Sequence, residues 1–591
     1  MIFSNKIGIL SKLAEKRLIS GADENLTEFL CGLEKNLAPE EKQVLAAAAA
    51  LLSEWVSSGS ICLTKDDIAT FTKTNKEALS ETAFPDWDEI KIALSKSSCC
   101  TSDPENEQKP LVFSEDKIYF YKYWLYENSL ASKVLNISKD KGKYAEYADE
   151  IKKIFDKLFD EDAKKYGRKN IEQQKAAGTV ILNRFSVITG GPGTGKTTTV
   201  SKIIAGILSV CPEAEIILAA PTGKAASRMT ESLGKEMKNI EESDVISGEI
   251  LGKMKSLEGR TLHKLLGWMF GKPEKNRENP IHADLVIVDE ASMVDIAMFS
   301  NLLDALSDKT SVILLGDKDQ LASVDVGNVL SDICSAAEAG LFERDIVARL
   351  TKSHRFEKHP AIGRLAGAVN GQKAAKEVIK ICMEERDLDF TTKTVEKIVE
   401  TAADSYGFLS DTNLKPEEIL EKLNDFKILC PSKEDFSGVM KLNEAIEKAL
   451  GKEGTDIFYS GRPVMVTKND YANSGLVNGD CGVILGKRAY FKIDNSVKPF
   501  PISALPPVET VYAMTIHKSQ GSEYSSVLVV LPEREMPMLT KELLYTAITR
   551  AKEKVEIAAK ESVLEYTLKN SAARNSGFEN ALKKLKESNE E

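Results

Sequence analysis

Apolar residues along this chain fall into two rhythms. Short runs rich in β-branched and aromatic residues occur at Phe185–Ile188, Glu215–Ala220, Asp284–Val288 and Ser311–Leu315, each of strand length. Between them apolar positions recur at helical spacing, as at Val200, Ile203, Ile204 and Ile207. Strands alternating with helices from about 170 to 350 predict a parallel, doubly wound α/β sheet. A charged segment inside it, 233–260, reads as a helical excursion from that sheet. Phe426–Cys430, Val511–Met514, Ser526–Leu531 and Val555–Ala558 repeat the strand pattern and predict a second α/β region over 351–591. Within it, short alternating runs broken at Asn469-Asp470 and Asn478-Gly479 predict a small β-barrel insert at about 456–508.

Ahead of these regions the pattern differs. Residues 1–105 carry helical periodicity and no chemical motif. Their most apolar stretch, "VLAAAAALLSEWV", is interrupted by Ser53 and Glu54, which favours a buried helix over a membrane span. After the polar breaker "SSCCTSDPENEQKP", a connector over 106–169 opens with two short strands, a Ser-Glu-Asp turn and a helix. Tyr119, Phe120, Tyr121, Tyr123, Trp124 and Tyr126 crowd that connector. They read as a small core beside a domain boundary, in preference to a base-stacking platform. The charged tail "NALKKLKESNEE" is expected to fray.

Length and composition narrow the classes. A chain of 591 residues exceeds one core and implies three to five domains. With 42% hydrophobic and 29% charged residues, no long apolar run and no signal-peptide pattern at the start, a soluble cytoplasmic protein is expected. Nine scattered cysteines form no C-x-x-C pair and stand apart from the five histidines, so reduced thiols are expected rather than a metal site. A net charge of −11 means that any grip on nucleic acid must come from a local groove or from partners.

Between the strand at 185 and the helix after it lies "GGPGTGKT". Strand, glycine-rich loop and helix in this order make a P-loop for ATP, with Gly190, Gly191, Gly193, Thr194, Gly195, Lys196, Thr197 and Thr198 as candidate contacts. Lys196 is expected to reach the β and γ phosphates, and the Thr197 hydroxyl to ligate Mg²⁺. At the end of the strand in "DLVIVDEAS", Asp289 is the second candidate for the Mg²⁺ shell and Glu290 for polarising the attacking water. Gln320, after the strand in "SVILLGDKDQ", stands where a polar side chain senses a γ-phosphate.

"GGPGTGKT", "LAAPTGKAASRM", "GRTLHKLLG", "VDEASMVD", "GDKDQLASV", "KSHRF", "AMTIHKSQGSE" and "LLYTAITRAK" follow one another in the order found in superfamily 1 DNA helicases. The wording resembles the RecD family, whose members belong to the RecBCD helicase–nuclease, across about 110–560. That resemblance implies two tandem RecA-like domains, at 170–350 and 351–591, and ATP-driven 5′→3′ movement on single-stranded DNA. Arg355 and Arg550 are then the residues that reach the γ-phosphate across the domain interface. Gln174, with Gln173 beside it competing for the role, is the adenine reader, and Glu523 the ribose-side contact. Thr222, Lys224, His263, Thr515 and His517 are the implied single-strand contacts, core histidines being the alternative for His263 and His517. The implied partners are RecB-like and RecC-like subunits in a heterotrimer, with residues 1–105 as the module that docks onto the RecC-like one. Covering apolar surface on the motor is the alternative role for that module. No nuclease carboxylate cluster stands out, which leaves nuclease activity to a partner. A free-standing RecD-like helicase, expected to carry a longer N-terminal extension, and a non-catalytic structural subunit are the competing readings.

Overall fold

Alternation along each strand of the first sheet sends successive side chains to opposite faces. Val187, Val286, Val288, Val312 and Leu314 join one buried cluster, while Ile188, Leu285, Ile287, Ile313 and Leu315 join another. Both faces are apolar, so both are covered by helices. This architecture comes from a computed structural model, which describes residues 8–80, 83–167, 170–269, 271–435, 438–452, 457–470, 473–493, 496–572 and 574–590.

Six parallel strands make the first sheet, in the order Val347–Leu350, Phe185–Gly190, Ser311–Gly316, Leu285–Val288, Ile216–Ala220, Gly259–Thr261. The four expected strands are its centre, and the two edge strands are additions. Segment 233–260 is no excursion. Its helices, Gly223–Glu242 and Gly248–Lys255, bury Leu233, Met237, Ile240, Ile250, Leu251 and Met254 against the second face and lead into the edge strand. A fully buried leucine contributes about 2 kcal/mol, while the charges of this segment lose nothing by staying in water.

Five parallel strands make the second sheet, in the order Leu388–Thr391, Ala551–Ala558, Tyr524–Val530, Phe426–Cys430, Ala513–Thr515. Two RecA-like units therefore stand in tandem. The insert is a five-stranded antiparallel sheet, ordered Ser496–Pro501, Arg488–Ile493, Cys481–Leu485, Pro463–Val466, Val508–Thr510. Among the described residues its outer strands do not pair, so the barrel expected there is an open sheet. Its outer strand carries Pro499 and Pro501, which have no N–H to offer a closing neighbour.

The N-terminal helices, from Gly8–Glu15 to Trp87–Lys96, pack around Leu52, Phe71, Ile90, Leu111 and Ile118. The expected hairpin forms between Leu111–Ser114 and Lys117–Phe120, turning through Glu115 and Asp116 at φ 53° and 55°. It pairs with Leu63–Thr64 and Cys100–Thr101, so a cut near residue 105 would divide a sheet. Tyr119 and Trp124 are buried and Tyr121, Tyr123 and Tyr126 pack on the same core, as the core reading expects. Over its described residues the charged tail is helical, not frayed. Helix Phe578–Glu590 buries Phe578, Ala581 and Leu582 against helices Tyr121–Lys139 and Val329–Glu338. Charges on its outer face hide that i, i+3, i+4 stripe from a composition reading. Among the described residues no helix is long and apolar enough to cross a membrane.

Candidate nucleotide site and nucleic-acid face

The glycine loop has to turn from strand Phe185–Gly190 into the helix that begins at Lys196, and it does so with Gly193 and Gly195 at φ 74° and 86°. A Cβ on Gly193 would lie 2.4 Å from the Arg355 Cβ, and one on Gly195 would lie 2.0 Å from the Gln173 Nε2. Two side chains thus wall the loop, and only glycine leaves them room. Across its mouth, the Lys196 ammonium donates to the carbonyls of Gly190 at 2.5 Å and Gly191 at 3.2 Å. Thr194 Oγ1 donates to Gly191 O at 2.8 Å, while Thr197 and Thr198 begin the helix, where backbone N–H groups face an anion.

The carboxylates arrive at the end of strand Leu285–Val288, separated from the P-loop strand by Ser311–Gly316. Asp289 follows Leu285–Val288 and its N–H donates to Ala219 O at 2.9 Å; Glu290, at φ 51°, donates its N–H to Asp289 Oδ1 at 2.8 Å. Burial, joined by the charge of Glu290, pushes Asp289 up to about 6, against Lys196 and Arg228. A buried carboxylate beside a second acidic side chain suits a divalent cation, which offsets their like charge. The donor set of Thr197 hydroxyl and Asp289 carboxylate fits Mg²⁺.

Gln320 joins the two units. Its Nε2 donates to Asp317 Oδ2 at 2.9 Å and its Oε1 accepts from Arg550 at 2.7 Å. Tyr545 donates to the same Asp317 oxygen at 3.1 Å. Arg550 is buried, and Glu290 raises a guanidinium pKa that burial lowers. Arg355 reaches the loop from the lead into the second unit, donating to Thr549 O at 3.4 Å and pairing with Glu523. Glu523 also holds Arg228, and Lys552 stands 3.7 Å away. Against the effect of burial, Arg228, Arg355 and Lys552 hold the Glu523 carboxyl at about 2. The expected ribose contact therefore lies among three cations.

The adjacent glutamines separate cleanly. Gln173 is buried, donates to Thr194 O at 3.0 Å, lies 3.2 Å from His354 Nε2, and has an Oε1 without a partner among the described residues. Gln174 turns the other way and donates to Asp156 at 2.5 Å. The structure does not bring Gln174 to the loop, because one step along a helix rotates a side chain by about 100°.

The five nucleic-acid candidates lie on both units. Thr222 caps helix Gly223–Glu242, accepting from Ala225 N at 3.2 Å. Lys224 donates to Gly479 O of the insert at 3.3 Å. His263 is exposed, with its ring 5.3 Å from Trp268. Thr515 ends its strand and accepts from Lys518 N at 3.3 Å. His517 is partly buried, and burial and then Arg574 lower its pKa. No hydrogen bond joins any two of the five among the described contacts. Sequence reasoning missed Arg228, Tyr545 and Lys552 as site residues, although the first two lie inside quoted motifs and Lys552 ends one.

Comparisons with known proteins match successive parts of the chain to known families. A family model described as an AAA domain matches residues 173–326, and one described as a UvrD-like helicase C-terminal domain matches 510–558. A third, described as RecBCD enzyme subunit RecD, N-terminal domain, matches 15–119. At 30% identity the chain is similar, over 98% of its own length and 100% of the relative's, to the RecBCD enzyme subunit RecD of Haemophilus influenzae. Its likeness to the subunit of that name from Mycolicibacterium smegmatis is 33% over 93% of this chain and 95% of that one. The ATP-dependent RecD2 DNA helicase of Deinococcus radiodurans is 32% identical over 66% of this chain, and 49% of that helicase is covered.

Proposed function

The chain belongs to the RecD family of RecBCD enzyme subunits, and from that premise we propose that it is an ATP-driven helicase moving 5′→3′ on single-stranded DNA. It works with RecB-like and RecC-like partners in a cytoplasmic helicase–nuclease, on duplex ends during double-strand break repair by recombination. One observation carries the motor reading: Arg550 and Arg355, from the second unit, converge on Gln320 and on the P-loop of the first. An interface that delivers two guanidinium groups to a phosphate site only when closed couples hydrolysis to movement.

In that cycle Lys196 leaves the carbonyls of Gly190 and Gly191 for the β and γ phosphates. Thr197 and Asp289 would hold Mg²⁺, which would supply positive charge to neutralise the phosphates. Glu290 takes the proton of the attacking water, and Arg355 and Arg550 face the charge that develops on the transferred group. Gln320 ties the arrival of Arg550 to Asp317. Gln173, with its unpartnered Oε1 beside the loop, replaces Gln174 as the adenine reader. Glu523 keeps Arg355 and Arg228 in place through its ion pairs with them. Thr222, Lys224, His263, Thr515 and His517 offer hydroxyl, ammonium and imidazole groups to the strand's phosphates and sugars. The N-terminal helices dock the chain onto the RecC-like partner.

Coverage supports the subunit reading over the free-standing helicase. The two subunit relatives match 98% and 93% of this chain and the helicase relative 66%. A strand-displacement assay on 5′-tailed and 3′-tailed duplexes tests the direction. Unwinding of the 5′-tailed substrate is expected, and unwinding of the 3′-tailed one alone overturns it.

A further inference from the structure

After its last helix, Glu561–Lys569, the second unit keeps hold of the chain for three residues. Asn570 Nδ2 donates to Pro537 O at 3.0 Å and Leu539 O at 2.8 Å, and Glu542 accepts from Ser571 Oγ at 2.7 Å and Ala572 N at 2.8 Å. At Arg574 the partners change. Its guanidinium donates to Asp325 O at 2.6 Å, Gly327 O at 2.8 Å, Ser323 O at 2.5 Å and Ser323 Oγ at 3.2 Å, all in the first unit. Asn575 then binds the N-terminal layer, accepting from Ile61 N at 2.8 Å and donating to Asp67 at 2.6 Å.

The loop that Arg574 grips starts at Gln320. Its near end belongs to the second unit: Leu321 N donates to Thr546 Oγ1 at 2.9 Å, and Leu321 O accepts from Gln520 at 3.3 Å. Its far end is held by Arg574, by Ile296 N donating to Val326 O at 3.1 Å, and by Gly327 N donating to Gly59 O at 2.9 Å. Gly59 is required there, because a Cβ would come 2.4 Å from the Arg574 Cζ and its φ is 97°. Leu321 and Val326 seat the two ends of the loop in the flanking cores, and Val324 between them is exposed. A cavity of about 270 Å³, lined by Gln320, Asn370, Lys541, Glu542 and Arg574 among others, opens beside the loop. Arg574 also faces His517, a candidate strand contact, whose pKa it lowers after burial.

We infer that Arg574 is a positioning residue of the ATPase cycle: it ties the far half of loop 320–327 to the N-terminal layer that Asn575 binds, so that closure of the second unit is registered at Gln320 instead of being absorbed by movement of the loop. The inference rests on the motor reading above. A guanidinium suits the task because its fork of donors reaches several carbonyls in one plane, which a lysine ammonium does not reproduce.

The test compares Arg574→Ala, Arg574→Lys and Asn575→Ala in the full chain, assembled with its partner subunits where these co-purify. Measured are kcat and KM for ATP with saturating single-stranded DNA, the DNA concentration for half-maximal stimulation, and Tm. Arg574→Ala is expected to lower DNA-stimulated kcat about tenfold with ATP KM unchanged, and Arg574→Lys to restore less than half of the loss. Asn575→Ala cuts the neighbouring anchor without touching the loop and is expected to lower Tm while leaving kcat near wild type. Equal kcat losses in the alanine variants, or full rescue by lysine, overturn the inference. So does a wild-type kcat in Arg574→Ala while Lys196→Ala is inactive, which leaves the motor reading standing. An active Lys196→Ala sinks that reading itself.

Discussion

Arg550 donates to the side-chain oxygen of Gln320 at 2.7 Å, and the amide of Gln320 passes the contact on to Asp317 at 2.9 Å. A single glutamine thus links a buried arginine of one unit to the strand end that faces the nucleotide loop of the other. If this contact transmits closure, its two ends are not independent. Arg550→Ala is expected to reduce DNA-stimulated kcat about a thousandfold, and Gln320→Ala about tenfold. The double variant should then be no slower than Arg550→Ala alone. Steady-state ATP hydrolysis of the four proteins checks it, and strictly multiplicative losses would show that the contact carries nothing.

The adjacent glutamines make opposite predictions. Gln173→Ala should raise the KM for ATP about tenfold, the loss of one hydrogen bond at about 1.4 kcal/mol. Gln174→Ala should leave that KM alone and change only stability, through Asp156. The reverse pattern would return the adenine role to Gln174.

Protonation of Glu127 offers a stability test away from the nucleotide. Its carboxylate is buried, accepts from Ser576 Oγ and Gly577 N at 2.8 Å each, and so anchors helix Phe578–Glu590. Burial pushes it up to about 7 from an ordinary 4.5, and Asp332 nearby to about 8. A raised folded value means that the stabilisation is complete below pH 4.5 and is lost as pH rises through 7. Glu127→Gln stays neutral throughout, so its Tm should exceed that of the wild type at pH 8, with the gap closing towards pH 4.5. Parallel Tm profiles would contradict this placement of the proton.

Much of this architecture was legible because local chemistry and period agree. The hairpin at Glu115-Asp116 and the P-loop need particular residues at particular steps, and the central strands need unbroken apolar runs. Other features were not legible. The edge strands Gly259–Thr261 and Val347–Leu350 are short and half-polar, as sheet edges are. The choice between Gln173 and Gln174 depends on how one helix is rotated about its axis. Arg574 carries no motif, and its importance comes from carbonyls some 250 positions earlier in the chain.

Lys224 provides the test of the nucleic-acid face. Its ammonium now donates to Gly479 O, a weak neutral partner that a phosphate would replace. Lys224→Ala should weaken single-strand binding and make the slope of log affinity against log salt shallower by about 0.7, the share of one phosphate on a single strand. An unchanged slope, read by fluorescence anisotropy across a salt series, would remove Lys224 from the groove.

The most direct measurement is ATP hydrolysis by Glu290→Gln with saturating single-stranded DNA, alongside nucleotide binding by the same protein. Glu290 follows Asp289 at the end of the strand and faces Arg550, and the proposed role of proton acceptor makes it necessary for turnover and not for binding. The account predicts ATP bound with wild-type affinity and hydrolysis slowed at least about a hundredfold. Hydrolysis at the wild-type rate would contradict it.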